Sequence, residues 1–319
     1  MRFGLSLPHY GFSLPSGRIA PADAIGWATR AEELGFDSVW ISDHFFYSYS
    51  RYGVTDRAYL GSLEPLTTLA AAAAATERVR LGSLVLCTSF RHPALLGKAA
   101  ATLDLLSGGR FDLGLGAGWL EEEYDAFGYR FGSVGERFDE LEGVAADLAR
   151  RFDDPSAPAP APLQRPFPIW LGGKGGPRLL RLAARHGAGW NVVWRTSPQA
   201  HEAAVADVAL ACEREGRDPA TFRRSVGLYG IVGETVEEAR ARFERARASF
   251  PADAMRDETW ASWRADTLSG SPEQVIERVG AFAELGVEEL ILSPWTLPFA
   301  VIEPEIVEVF AERVIPRCR

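Results

Sequence analysis

The chain has 319 residues, 47% of them hydrophobic and 24% charged, and its net charge is -9 with a pI near 5.2. This composition is typical of a globular protein, and the acidic balance argues against binding to nucleic acid or to an anionic membrane. No apolar run approaches the roughly 20 residues that cross a bilayer. The first residues, MRFGLSLPHYG, read as a strand and not as a cleavable leader. Cys87, Cys212 and Cys318 are far apart, which predicts reduced thiols in a cytoplasm and no disulfide frame.

Short apolar runs alternate with helical patterns along the chain. Eight runs are predicted as strands, at residues 2–7, 38–42, 79–87, 111–118, 168–173, 190–194, 225–233 and 289–295. Helices are predicted near residues 20–35, in an alanine-rich stretch that ends near 76, and near 93–109, 134–152, 177–186, 198–215, 235–250, 271–286 and 303–315. Pro21 suits the first turn of the first helix, and Gly35 suits its end.

Eight strand–helix units predict an α/β protein whose parallel sheet closes into a (β/α)8 TIM barrel. An open doubly wound sheet gives the same alternation. We favour the barrel because the count reaches eight within one domain-sized chain, and because the unusual residues follow the strands, where barrels carry their chemistry. The prediction is a single barrel domain over residues 1–319, with insertions at about 119–132, 153–168 and 250–270.

The segment PIWLGGKGGPRLLRLA, residues 168–183, runs from a predicted strand through four glycines into a helix that Pro177 opens. Glycines let a ligand approach the backbone, and the first turn of a helix offers free N–H groups. Lys174 and Arg178 add positive charge. These features predict a phosphate site, with a flexible strand-to-helix turn as the alternative. The spacing is not that of a Walker A loop.

The segment GLGAGWLEEEYDAFG, residues 114–128, follows the fourth predicted strand. Its glycines are spaced as Gly-x-Gly-x-Gly, which does not match the dinucleotide-binding fingerprint. We interpret Gly114, Gly116 and Gly118 as positions where a flat ligand lies against bare backbone. The consecutive acids at 121–123 point in different directions, so we expect a solvated loop or first helical turn and not a metal site.

The histidines fall into two groups. His186 and His201 lie in helical patterns and are expected on the outer surface. His9, His44 and His92 each follow one of the first three strands, an arrangement that allows a three-histidine metal site. The residues that follow them, Tyr10, Phe45 and Pro93, offer no carboxylate to orient such ligands, so we predict no metal. The serines lack the context of a nucleophile elbow, which argues against acyl transfer.

Several stretches, in order along the chain, resemble the bacterial luciferase-like superfamily of flavin- and deazaflavin-dependent enzymes. They are AEELGFDSVWISDHF, VRLGSLVLCTSFRHPALLGKAAATLDLLSGGRFDLGLGAGWLEEEYDAFG, GERFDELEG and PIWLGGKGGPRLL. The fold of that family is a (β/α)8 barrel, the architecture that the strand count also predicts. The likeness is greatest to the coenzyme F-420-dependent branch, which is common in high-GC actinobacteria.

The resemblance implies roles for individual residues. Asp43 would contact the deazaflavin, and His44 would be the catalytic acid/base. A non-proline cis peptide is expected between Leu84 and Val85, where it would support the ring. The further cofactor contacts that it implies are Cys87 beside the ring, Ala117 and Gly118 under it, and Gly175, Gly176, Arg178 and Leu179 at the phosphate.

Two positions depart from the sugar-phosphate dehydrogenases of this branch. Their second acid/base, a glutamate, is here Trp119, and the lysine that holds the sugar phosphate corresponds to Thr196. The resemblance therefore disfavours glucose 6-phosphate as the substrate. We expect an apolar or aromatic substrate pocket, with core packing as the alternative role for its aromatic residues. Those residues are Phe45, Phe46, Tyr47, Tyr49, Trp119 and Trp194.

We therefore expect an oxidoreductase that transfers hydride between coenzyme F-420 and an organic small molecule. The alternative is an FMN-dependent luciferase-like monooxygenase with a separate reductase partner, because both cofactors share the tricycle and a ribityl phosphate. A barrel that binds flavin or phosphate without catalysis, and a sugar-phosphate isomerase or hydrolase, stay open. The resemblance also implies a homodimer.

Overall fold

Eight parallel strands close into a barrel in the computed structural model, which describes residues 1–18, 20–52, 60–154 and 160–319. The strands are β1 (Arg2–Ser6), β2 (Ser38–Ile41), β3 in two pieces (Arg80–Ser83 and Leu86–Cys87), β4 (Phe111–Gly116), β5 (Ile169–Gly172), β6 (Gly189–Trp194), β7 (Arg223–Tyr229) and β8 (Glu289–Ser293). β1 lies between β2 and β8, and β3 pairs with β4 to complete the ring. This closure confirms the barrel and excludes the open doubly wound sheet.

Helices cover the outside of the barrel. In the described residues they are α1 (Pro21–Glu33), α2 (Pro65–Ala75), α3 (Pro93–Leu106), α4 (Glu121–Phe127), α5 (Val134–Asp153), α6 (Pro177–His186), α7 (Pro198–Arg214), α8 (Val236–Ser249), α9 (Trp260–Ala265), α10 (Pro272–Glu284) and α11 (Pro304–Val309). Many begin with proline, whose missing N–H would have no partner in the first turn. In the described parts of the chain, no helix is long and apolar enough to span a membrane.

Two helices lie in segments that were predicted as insertions. They are α4, in the insertion near 119–132, and α9, in the insertion near 250–270. A two-residue antiparallel ladder between Phe46–Tyr47 and Leu60–Gly61 also projects after β2. Residues 155–159 of the proline-rich insertion near 153–168 lie outside the described residues.

Trp40, on β2, fills the middle of the barrel. Its ring occupies the space where side chains at Gly4 and Gly82 would project, and its Nε1 donates to Ser38 and Glu289 lower in the barrel. Because Trp40 is only 1% exposed, the interior is a packed core. Any site must therefore lie at the mouth, where the carboxyl ends of the strands open.

Candidate active site

His44 lies three residues after the end of β2 and is held by a carboxylate from another part of the chain. Its Nδ1 is 2.8 Å from Oε2 of Glu123, whose side chain is buried in the first turn of α4. The backbone N–H of Phe45 donates to the other oxygen of that carboxylate at 2.5 Å, and the N–H of Phe46 lies 3.4 Å from it. Because a carboxylate accepts hydrogen bonds, Nδ1 carries the proton, which leaves Nε2 to exchange a proton with a substrate.

Glu123 is the functional candidate that sequence reasoning missed. The expectation of a solvated acidic run is wrong for this residue, although its placement in a first helical turn is confirmed. Glu121 stays exposed at the start of the same turn. Glu123 directly precedes the aromatic residue Tyr124, and both side chains lie on the buried face of this short helix after β4. The apolar neighbour was the signal in the sequence that could have identified Glu123.

An aromatic cluster holds α4 against the loop that carries His44. The ring of Phe45 stacks on Phe127 with centroids 4.1 Å apart and meets Phe90 at 4.8 Å. Tyr124 packs against Phe90 at 5.1 Å. The helix ends at Gly128, whose φ of 72° suits glycine. This packing fixes Glu123 relative to His44.

Asp43 is buried and paired. It accepts two hydrogen bonds from the guanidinium of Arg91, at 2.5 and 3.0 Å, and one from the backbone N–H of Cys87 at 2.9 Å. Arg91 also contacts Glu64, at 2.7 Å. A charge so far from water needs such partners. Arg91 was not anticipated, and it ties the end of β2 to the loop after β3.

The cis peptide that the resemblance implied is present between Leu84 and Val85, and a second one joins Val193 and Trp194. A Cβ at Gly114 would lie 2.0 Å from the backbone oxygen of Ser83 and 2.9 Å from the side chain of Val85, and one at Gly116 or Gly172 would lie 2.5 Å from that side chain. These glycines therefore make room for Val85, and the expected contact of a flat ligand with Gly114 and Gly116 stays a prediction.

We predict that Gly116→Ala destabilises the fold by roughly 1–3 kcal/mol, because the added methyl group overlaps Val85 inside a packed barrel. Gly143→Ala is the matched control. Gly143 is exposed in α5 with open space around it, so that alanine should stabilise the helix by about 0.5–1 kcal/mol. Urea unfolding of both variants checks the prediction, and equal stability of Gly116→Ala and the wild type would contradict it.

Cys87 and Gly118 lie together beside Asp43. A Cβ at Gly118, which has φ of 73°, would lie 2.0 Å from the hydroxyl of Tyr124 and 2.8 Å from Cys87 Sγ, and that hydroxyl and sulfur are 3.1 Å apart. Burial raises the pKa of the Cys87 thiol to about 11, so it stays protonated and is no nucleophile at neutral pH. Gly118 therefore makes room for the hydroxyl of Tyr124, and its expected place under the cofactor ring stays a prediction.

The glycine loop after β5 has the backbone that a phosphate site needs. Gly173 and Gly175 have φ of 153° and 81°, and Gly176 precedes α6 without a side-chain cap from any described residue. Leu179 packs into the core, so its backbone N–H alone could face a ligand. Arg178 is already paired with the exposed Asp139, a weak contact that a phosphate could replace.

The expected substrate residues occupy two settings. Trp194 stacks on Tyr229 at 5.7 Å and meets Phe299 edge-on at 5.1 Å. Trp119 is 53% exposed, with its ring 5.9 Å from that of His44. Phe45 and Phe46 instead face α4: Phe45 belongs to the cluster described above, and Phe46 is 4% exposed and 6.2 Å from Phe127. The pocket role of these residues stays a prediction.

The remaining histidines have separate surroundings. His9 is buried and contacts Leu7 O and Ser42 Oγ, both at 2.9 Å, and His92 caps α3. The described residues contain no group of three or more metal-ligating side chains. The expectation that His201 lies on the surface is wrong. Its ring is buried and stacks on Trp190, because α7 turns this residue toward the barrel.

We predict that the buried His201 makes the stability of the fold sensitive to acid. Burial lowers its pKa from 6.5 to about 4. As the pH falls below 6.5 the unfolded chain therefore binds a proton that the folded state does not, and stability drops by up to about 1.4 kcal/mol per pH unit. His201→Phe should remove this part of the loss of stability. His9, whose burial lowers its pKa to about 3, should contribute a similar loss in the variant and in the wild type. Urea unfolding at pH 7 and 4.5 measures the loss of stability in each protein. Identical losses in His201→Phe and in the wild type would contradict the prediction.

The fold is a closed (β/α)8 barrel, and a buried carboxylate–histidine pair lies at the carboxyl ends of its strands. Residues 1–289 match the family model of the luciferase-like monooxygenases. The chain belongs to this family.

Two relatives and one solved structure are among the proteins to which this chain is similar. The F-420-dependent glucose-6-phosphate dehydrogenase of Kribbella flavida is 34% identical, over 88% of this chain and 91% of the relative. The F-420-dependent hydroxymycolic acid dehydrogenase of Mycobacterium tuberculosis is 31% identical, over 68% of this chain and 61% of the relative. An F-420-dependent secondary alcohol dehydrogenase in complex with an F-420–acetone adduct has the same fold, with a TM-score of 0.78, 20% identity, and coverage of 100% and 99%.

Proposed function

We propose that this protein is a coenzyme F-420-dependent oxidoreductase that interconverts an alcohol and a carbonyl compound, with His44 as its acid/base. The observation that carries the proposal is the 2.8 Å hydrogen bond between His44 Nδ1 and the buried carboxylate of Glu123. Such a pair holds the imidazole in one orientation and one tautomer. The names of the two relatives, both F-420-dependent dehydrogenases, support the cofactor.

The residues at the mouth fit a flat cofactor that carries a phosphate. Asp43 and Cys87 adjoin where β2 and β3 end, and the loop 173–176 offers backbone N–H groups before α6. When bound, the deazaflavin would supply the carbon that accepts or donates hydride. FMN shares the tricycle and the phosphate, so the same residues fit it as the alternative cofactor.

His44 would manage the proton that accompanies hydride transfer. As the carbinol carbon gives up its hydride, Nε2 of His44 would take the proton of the hydroxyl group, and the alcohol becomes the carbonyl compound. In the reverse direction, the protonated imidazole would return that proton to the carbonyl oxygen. Glu123 keeps Nδ1 occupied, so that Nε2 alone takes part.

An uncharged, apolar or aromatic substrate suits the residues around His44. Trp119 lies against His44, and Thr196 replaces a phosphate-binding lysine by the resemblance above. Arg195, which directly precedes Thr196 in the sequence, forms ion pairs with Glu258 and Asp266 at 2.7 and 2.9 Å. With its donors taken, this arginine offers little to a sugar phosphate.

A spectroscopic titration with F-420 and with FMN tests the proposal, followed by turnover with secondary aromatic alcohols and with glucose 6-phosphate. We expect tighter binding of F-420, and reduction of bound F-420 by the apolar alcohols. Tighter binding of FMN would favour the monooxygenase alternative. Turnover of glucose 6-phosphate at a higher kcat/KM would contradict the substrate class, and lack of binding by either cofactor would contradict the function.

A further inference from the structure

The indole of Trp190, on β6, forms the floor of the glycine loop. Its Nε1 donates a hydrogen bond of 2.8 Å to the carbonyl of Gly173, and its ring lies where a side chain at Gly175 would project, 2.5 Å from the Cβ position. The backbone N–H of Gly173 also donates to the carbonyl of Asn191 on the same strand. One side of the loop is therefore attached to β6 at three points.

Trp190 is itself held from behind. The ring of His201, on α7, is parallel to the indole within 3°, with centroids 5.6 Å apart, and Phe282 meets His201 edge-on at 5.9 Å. Neither ring nitrogen of His201 has a hydrogen-bond partner among the described residues. The imidazole thus serves as a flat packing surface, and the stack leaves Trp190 little freedom to move away from the loop.

We propose that Trp190 is a positioning residue for the cofactor phosphate, an inference that rests on the proposed function. By holding the carbonyl of Gly173 on one side, the indole sets the loop so that the N–H groups before and within the first turn of α6 face the phosphate. Gly175 has a φ of 81°, which glycine adopts without strain. Because glycine has no side chain, the indole can also pack directly against its backbone.

The test compares ligands with and without the phosphate: FMN with riboflavin, which differ only in that group, and F-420 with its ribityl deazaflavin, which lacks the phosphate and the acidic tail attached to it. Trp190→Phe removes the hydrogen bond to Gly173 and keeps an aromatic ring. We expect the Kd of the phosphate-bearing ligands to rise about tenfold. The Kd of the phosphate-free ligands should stay within about twofold, since the ring-binding residues are untouched.

Trp170→Phe is the matched control, because Trp170 is an equally buried tryptophan whose Nε1 donates to Asp112 at the opposite end of the barrel. It should leave the preference for phosphate unchanged. If Trp190→Phe does not fold, 3-benzothienylalanine at position 190 keeps the ring shape and removes only the N–H donor. If either Trp190 variant keeps the wild-type preference for phosphate-bearing ligands, this inference is overturned and the proposed function is not. A wild type that binds both forms equally would overturn the phosphate assignment in the proposed function as well.

Discussion

Replacing His44 by alanine is expected to lower kcat by about 100- to 10,000-fold, the usual contribution of a positioned acid/base. The cofactor should bind nearly as tightly as in the wild type, because Asp43, Cys87 and the glycine loop are unchanged. Steady-state kinetics with a secondary alcohol, together with a spectroscopic titration of the cofactor, separates the two effects. Added imidazole should restore part of the lost turnover, since it can enter the space of the missing ring.

His92→Ala is the control for this substitution. His92 also follows a barrel strand, but it is exposed and caps α3 by accepting a hydrogen bond from the N–H of Ala94, so the variant should keep the wild-type kcat after a modest loss of stability. An unchanged kcat in His44→Ala would remove His44 from the mechanism. In that case the hydrogen bond to Glu123 would serve only to fix the loop after β2.

Glu123→Gln is expected to lower kcat by about 100-fold with little change in KM, because the amide no longer holds His44 in the tautomer that leaves Nε2 free to accept a proton. The amide can also donate to Nδ1 and so favour the tautomer whose proton lies on Nε2. The pH profile of kcat should change with the substitution, whereas a variant that merely loosens α4 would keep the wild-type profile at lower amplitude.

Glu121→Gln provides the comparison within the same helical turn. Glu121 is exposed, so its loss of charge should leave both kcat and the pH profile as they are. Equal effects of the two substitutions would show that the acidity of the turn matters, and not the contact with His44. A wild-type pH profile in Glu123→Gln would contradict the positioning role.

The barrel could be predicted because its evidence is local in the sequence. A buried strand and an amphipathic helix each leave a pattern within about ten residues, and eight repeats of that pattern admit few architectures. The boundaries differ by a few residues, as for β7, predicted at 225–233 and found at Arg223–Tyr229. Helix α4 was predicted only as one of two alternatives for the acidic run, because seven residues with an acidic first turn carry little periodicity.

The site was predicted in part. Sequence position after β2 placed Asp43 and His44 at the mouth, and the resemblance located the cis peptide at Leu84–Val85. Their partners could not be predicted. Arg91 and Glu123 reach the site across 48 and 79 residues of chain, and ion pairs over such separations leave no periodic signal.

The sequence by itself determined the alternation of strands and helices, the residues at the strand ends, and the glycine loop before α6, because each depends on neighbours along the chain. Only the tertiary structure decided which side chains meet. Closure of the barrel brings the ends of β2 and β4 to one mouth, so that Glu123 supports His44. The same closure turns Val85 onto Gly114 and Gly116, and α7 buries His201 behind Trp190. These contacts join residues far apart in sequence, and they exist only once the strands have closed into a ring.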